Sequence, residues 1–90
     1  MFYVYALISK KAPGWFYVGF SADLKKRLER HNSGKVKSTS SRVPFLLVYY
    51  EAYRSEGDAR AREKNLKTHQ QRDFLKARIK DSLKEINSAR

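Results

Sequence analysis

Ninety residues and 10.6 kDa allow one domain, and 20 Lys+Arg against 9 Asp+Glu give it a formal charge of +11. The chain has no cysteine, which excludes disulfide staples and thiolate metal sites, while 41% hydrophobic and 13% aromatic residues supply material for a core. The longest apolar run, Phe45 to Tyr50, is too short to span a bilayer, and Met1-Phe2-Tyr3-Val4-Tyr5 lacks the basic start and cleavage site of an export signal. A soluble cytoplasmic domain without membrane contact is therefore expected.

Phe2 to Ser9 is rich in aromatic and β-branched residues on both faces, the pattern of a central strand covered on both sides. Lys10 to Gly14 is a turn signal, and Trp15 to Phe20 reads as a second strand in an antiparallel hairpin with the first. Ser21 is the expected N-cap of a short helix, with Asp23 complementing the dipole in its first turn. Leu24, Leu28 and His31 follow at helical spacing, and Asn32-Ser33-Gly34 stops the helix. Lys35 to Pro44 reads as a polar, basic loop, and Phe45 to Tyr50 as a third strand ending near Glu51. Ser55-Glu56-Gly57-Asp58 resembles a capping box for a helix through Ala59, Glu63 and Leu66. Thr68-His69-Gln70-Gln71 opens a last helix extending to about residue 88, with Phe74, Leu75, Ile79, Leu83 and Ile86 as its apolar stripe. The order β-β-α-β-α-α predicts a single α+β domain over residues 1–90, a small antiparallel sheet flanked by helices.

The charge is unevenly spread. Residues 22–42 carry seven bases (Lys25, Lys26, Arg27, Arg30, Lys35, Lys37 and Arg42) against Asp23 and Glu29, and residues 54–80 carry nine against four acids. Clustered excess of this size points to a polyanionic partner, since neutralising phosphates releases condensed counterions.

No glycine-rich phosphate loop, GxSxG elbow or HExxH motif occurs, and His31 and His69 lie far apart in sequence. What remains are tyrosines on strands, an arginine on the first helix and a carboxylate in a basic helix. Phosphodiester cleavage could be built from them. A tyrosine serves as base only where a cation or metal favours its phenolate, arginine braces a phosphate with two parallel hydrogen bonds, and one carboxylate with waters suits Mg²⁺. Each residue also has a plainer reading. Tyr3, Tyr5 and Tyr17 suit a half-buried strand surface, Arg27 a solvated helix face, Glu63 a surface pair with Lys67, and His31 the inner face of its helix. Composition and spacing alone stop at a basic nucleic-acid-binding α+β domain.

The order of the residues carries the next step. Tyr3-Val4-Tyr5, about ten residues, then Tyr17-Val18-Gly19 resembles the paired motif of the GIY-YIG nuclease family. The run from Phe20 to Gly34 is similar to that family's first helix, Leu47-Val48-Tyr49-Tyr50-Glu51 to its third strand, and Arg62-Glu63-Lys64-Asn65-Leu66-Lys67 to its carboxylate helix. The likeness is to the small stand-alone bacterial members and covers residues 1–80. In the first motif Tyr3 stands for glycine and Val4 for isoleucine, and neither change removes a catalytic group.

This resemblance implies a three-stranded antiparallel sheet and an endonuclease that hydrolyses DNA phosphodiester bonds with one divalent ion, Mg²⁺ or Mn²⁺. It places Glu63 at the metal ligand, Arg27 at the phosphate-stabilising arginine, Tyr17 at the general base, Tyr5 beside it as an orienting group, and His31 at a site histidine. Glu51 is either a supporting carboxylate or a solvated strand end. Gly19 is expected to let backbone approach substrate closely. Lys25, Lys26, Arg30, Lys35, Lys37, Arg62 and Lys67 are the expected nucleic-acid contacts. Nothing in the sequence supplies the separate DNA-recognition domain of larger family nucleases. The expectation is therefore shape-guided binding of branched, nicked or single-stranded DNA, with RNA as the alternative polymer and a partner protein supplying targeting. Two other readings stand beside it: a non-catalytic binding module, and a homodimer built on the stripe from Phe74 to Ile86.

Overall fold

An apolar run without alternation can be buried only from both sides, and Phe2–Ser9 (β1) is the middle strand of a three-stranded antiparallel sheet in the computed structural model, which describes residues 1–88. β1 is flanked by Phe16–Ser21 (β2) and Phe45–Tyr53 (β3), in the order β2-β1-β3, and its residues Val4 to Ser9 are all buried. The chain continues through Leu24–Asn32 (α1) between β2 and β3, then Glu56–Leu66 (α2), His69–Arg78 (α3) and Lys80–Ser88 (α4). The fold is α+β, and the strands and first two helices follow the order expected from the sequence, with two helices where one last helix was expected. The expectation of one domain over residues 1–90 ends two residues outside the described chain.

Alternation along β1 divides the core in two. Val4 and Ala6, with Val18 of β2, pack against Ala59, Leu66, Leu75 and Ile79 of the C-terminal helices and the turn after α3. Tyr5, Leu7 and Phe45 instead pack against Leu24 and Leu28 of α1, with Trp15 and Tyr17 beside them. The two faces of one sheet thus carry separate clusters, one under α2 and α3 and one under α1.

Four local features differ from the sequence reading. Ser21 pairs with Tyr3 across the hairpin and so belongs to β2; Asp23 caps α1, its carboxylate accepting from the Lys26 N–H at 3.1 Å. The Ser21 hydroxyl accepts from the Asp23 N–H at 3.0 Å and prepares the turn. Strand β3 runs on to Tyr53, because Phe2 of the central strand offers it a partner there. Ser55 precedes α2 without a side-chain capping bond, whereas Thr68 caps α3 by accepting from Gln71 N–H.

The fourth is the last helix, which divides at Ile79. Its side chain is buried with Leu75, and its backbone (φ −105°, ψ 24°) leaves the helical region to let α4 swing Leu83 onto the core. Leu75, Ile79 and Leu83 of the stripe are therefore spent within the molecule. Leu75 and Ile79 are buried, while Phe74, one position off their line, is 59% exposed. Among the described residues no helix is long and apolar enough to cross a membrane.

Candidate active site

Residues paired across antiparallel strands share a face, so the pairings Tyr5↔Gly19 and Leu7↔Tyr17 put Tyr5 and Tyr17 together on the α1 side, ring centroids 6.4 Å apart. Gly19 makes this possible. A Cβ there would fall on the Tyr5 hydroxyl and lie 3.0 Å from the Tyr17 ring, so the missing side chain clears a berth for the Tyr5 phenol leaning over β2. Gly19, expected to let backbone approach substrate, is thus needed already for a tyrosine of the protein itself.

Helical spacing does the rest. Arg27 and His31, four residues apart, rise from the same side of α1, and both reach the Tyr5 oxygen: His31 Nε2 at 2.7 Å and Arg27 Nε, donating, at 3.4 Å. The edges of the His31 ring meet Tyr17 and Phe45 at centroid distances of 5.3 and 5.8 Å. His31 is wholly buried, and so is Thr39, whose hydroxyl lies 2.8 Å from His31 Nδ1. The loop read as simply polar and basic thus sends one threonine into the protein. Asn32 ties the end of α1 to β3, accepting from the Phe45 N–H at 2.6 Å and donating to its carbonyl at 3.4 Å.

This environment sets the protonation states. Burial, reinforced by the nearby Arg27 charge, pushes His31 down to about 4, so the imidazole is neutral at physiological pH. Burial raises Tyr5 to about 12 despite the hydrogen bond from Arg27, so Tyr5 holds its proton. The hydrogen bond to Tyr5 raises Arg27 further, and its guanidinium is permanently charged.

Glu63 reaches this region from α2, under the edge strand β2. Its carboxylate pairs with Lys67 at 3.2 Å, and the Lys67 ammonium stands 5.9 Å from the centre of the Tyr17 ring, so Lys67 links the carboxylate to the tyrosine. The Glu63 charge is also felt at Tyr5. Lys67, expected to contact nucleic acid, is thus engaged at the edge of the site. Lys25, Lys26, Arg30, Lys35 and Lys37 are all exposed, along α1 and the loop after it. Lys25 also lines an open cleft of about 510 Å³ with Tyr3, Leu24, Leu28, Leu47 and Tyr50.

Arg62 stands apart from these cations. It gives Nε and Nη2 to Glu51 at 2.9–3.2 Å and Nη1 to Asn65 at 2.9 Å. Glu51 also accepts from Tyr49 at 2.5 Å and from Tyr53. Burial would raise the Glu51 carboxyl, but the hydrogen bonds from Arg62, Tyr49 and Tyr53 outweigh it and hold the group down at about 2. Glu51 pairs with Val4 and so lies on the α2 face, away from Tyr5 and Tyr17. Arg62, expected among the nucleic-acid contacts, is here engaged in a clamp between β3 and α2, and Glu51 belongs to that clamp.

With two strand tyrosines, a helix arginine and a histidine converging in this way, comparison with known proteins is decisive: the profile of the GIY-YIG catalytic domain matches residues 1–78. The chain belongs to the GIY-YIG nuclease family. A UPF0213 protein of Lacticaseibacillus paracasei is 38% identical over 81 residues, covering 89% of this chain and 88% of that protein. A UPF0213 protein of Staphylococcus aureus strain Mu50 is 36% identical over 73 residues, covering 80% and 89%. The solution structure of the UPF0213 protein BH0048 from Bacillus halodurans superposes with a TM-score of 0.53 at 34% identity, over 86% of this chain and 84% of that one.

The GIY-YIG domain offers a divalent ion little in the way of a cage. Among the described residues no three His, Cys, Asp or Glu side chains gather as a metal-binding group. The donor chemistry at Glu63 suits an ion held by one carboxylate that keeps water and substrate oxygens as its other ligands, the habit of Mg²⁺. Thr39 was not singled out from the sequence, and Asn32 was read only as part of the stop of α1. A threonine within Lys37-Ser38-Thr39-Ser40-Ser41 carries no periodic signal, and only its burial distinguishes it.

Proposed function

We propose that this GIY-YIG domain is a divalent-metal-dependent endonuclease that hydrolyses DNA phosphodiester bonds. The observation that carries the reading is the meeting of Tyr5, Tyr17, Arg27 and His31 on one side of the sheet, with Glu63 and Lys67 at its border. Arg27 binds a non-bridging phosphate oxygen and stabilises charge developing there. Tyr17, half-buried between the Tyr5 and Trp15 rings, takes the proton of the attacking water as its phenolate, having first given its own proton to solvent. Tyr5 keeps its own proton and orients its neighbours through its hydroxyl. Glu63 would hold Mg²⁺ or Mn²⁺, which would polarise the phosphate and neutralise charge on the leaving oxygen.

The exposed Lys25, Lys26, Arg30, Lys35 and Lys37 suit phosphate contacts, which fix position without reading sequence, so cleavage follows the shape of branched, nicked or single-stranded DNA. A partner protein then supplies targeting. One observation favours a second reading, a binding module without catalysis: the Glu63 carboxylate is already paired with Lys67.

Labelled duplex, nicked, branched and single-stranded DNA, with matched RNA, incubated with Mg²⁺, Mn²⁺ or EDTA, separates the two. The nuclease reading expects metal-dependent product from the wild type and none from Glu63→Ala, which still binds DNA. Retention of DNA without product at any metal concentration would favour the binding module, and equal product from both proteins would remove Glu63 from the reaction.

A further inference from the structure

The hydrogen bonds around Tyr5 form a line that ends on a residue with no assigned role. From Arg27 Nε to Tyr5 is 3.4 Å, from Tyr5 to His31 Nε2 2.7 Å, from His31 Nδ1 to the Thr39 hydroxyl 2.8 Å, and from that hydroxyl to the Val36 carbonyl 3.4 Å. Tyr5, His31 and Thr39 are each no more than 1% exposed, so their protons must be satisfied inside the protein. Thr39 stands just before the 3₁₀ turn Ser40–Arg42, where its hydroxyl could have capped the turn; it makes no such bond and points inward.

A neutral imidazole carries one proton, and the two ways of placing it are unequal here. With the proton on Nδ1, every group donates to the next: Arg27 to Tyr5, Tyr5 to His31 Nε2, His31 Nδ1–H to Thr39, and Thr39 to the Val36 carbonyl. With the proton on Nε2, both His31 and Arg27 donate to the Tyr5 oxygen, Thr39 turns its proton to Nδ1, and the buried Tyr5 proton loses its acceptor. The first arrangement makes one hydrogen bond more. The choice turns on Thr39, because a hydroxyl with the Val36 carbonyl behind it is polarised to accept.

We infer that Thr39 is a positioning residue that holds His31 in the Nδ1–H tautomer and so fixes Tyr5 as a donor into the protein. Its oxygen then accepts from Arg27 and keeps the guanidinium aimed at the place of the phosphate. The hydrogen-bonded partner of one imidazole nitrogen decides the proton on the other, and here that partner comes from the loop between α1 and β3. The tautomer rests on geometry alone; its consequence for cleavage rests on the nuclease reading.

The test is the ¹⁵N spectrum of His31 in the full chain, without DNA or metal, so it stands whether or not the protein cuts. The wild type and Thr39→Ser are expected to show a protonated Nδ1 and a bare Nε2; in Thr39→Val, which keeps the shape and loses the hydroxyl, each tautomer makes two hydrogen bonds and strands one buried donor, so the proton is expected to divide between the two nitrogens. Tyr5→Phe removes the other partner and is expected to leave Nδ1 protonated, which keeps the question decidable if Thr39→Val does not fold. A wild type protonated on Nε2, an unchanged tautomer in folded Thr39→Val, or a proton that moves in Tyr5→Phe would overturn the assignment. In single-turnover cleavage, Thr39→Val is expected to lose about 10–100-fold in rate at saturating DNA, the scale seen when partners orienting metal-bound histidines are removed, with little change in DNA affinity and recovery in Thr39→Ser. A rate unchanged in Thr39→Val would overturn the positioning role.

Discussion

Each face of the sheet gathers two tyrosines and an arginine around a third group, and the two assemblies behave in opposite ways. Under α2 the third group is a carboxylate. Glu51 takes hydrogen bonds from Tyr49, Tyr53 and Arg62, and the guanidinium spends its remaining bond on Asn65. Under α1 the third group is neutral His31, and no carboxylate lies within ion-pair distance of Arg27 among the described residues. The charged clamp is closed on itself, while the other face keeps an uncompensated cation beside two phenols. The same residue types therefore close on themselves where an acid neutralises the arginine, and leave the arginine's charge unpaired where a histidine takes the acid's place.

The sharpest contrast is between the arginines. Arg27→Ala is expected to lower the cleavage rate by about 10²–10³-fold, the scale of removing one transition-state donor, with DNA affinity little changed. Arg62→Ala is expected to leave the rate per folded molecule intact and to cost about 1–3 kcal/mol of stability by stranding Glu51. Urea midpoints and single-turnover rates on both variants check the pair, and interchanged effects would break the comparison.

The faces should also fail in different acid windows. His31 titrates at about 4 in the fold against 6.5 ordinarily. The unfolded chain therefore binds more protons between those values. The stability tied to neutral His31 is full above pH 6.5 and is lost as pH falls to about 4, at most about 3 kcal/mol. Glu51, held at about 2 against 4.5, contributes above pH 4.5 and loses that contribution only as pH falls toward 2. Urea midpoints across pH 7 to 2, with NMR signals from each face, should show the α1 side weakening first; a midpoint unchanged from pH 7 to 4.5 would contradict it. A smaller effect belongs to Gly19→Ala, whose methyl must displace the Tyr5 hydroxyl. About 1–3 kcal/mol of destabilisation is expected, with an altered ring environment for Tyr5 in aromatic NMR spectra.

The path of the chain was legible because its signals are local. Both-sided burial marked β1 as central, Gly34 closed α1 with a positive φ of 75°, and Thr68 announced α3. Tyr5, Tyr17, Arg27 and His31 were legible as an ordered motif. What stayed hidden depends on contacts between distant segments. Ser21 was a plausible cap until pairing with Tyr3 claimed it for β2. Arg62 looked like any helix cation until β3 brought Glu51 to it, and no glycine or proline marked the break at Ile79. Gly19 was expected to make room for substrate, and only the structure reveals that it makes room for Tyr5.

The claim that chemistry belongs to one face and structure to the other is tested most directly by two phenol deletions measured side by side. Tyr17→Phe and Tyr53→Phe each remove a single hydroxyl, and single-turnover cleavage of labelled DNA with Mg²⁺ or Mn²⁺ reads the rate per folded molecule. The account predicts a loss of about 10²–10⁴-fold for Tyr17→Phe and a wild-type rate for Tyr53→Phe. A Tyr17→Phe protein that cuts at the wild-type rate, or a Tyr53→Phe protein that folds and no longer cuts, would contradict it.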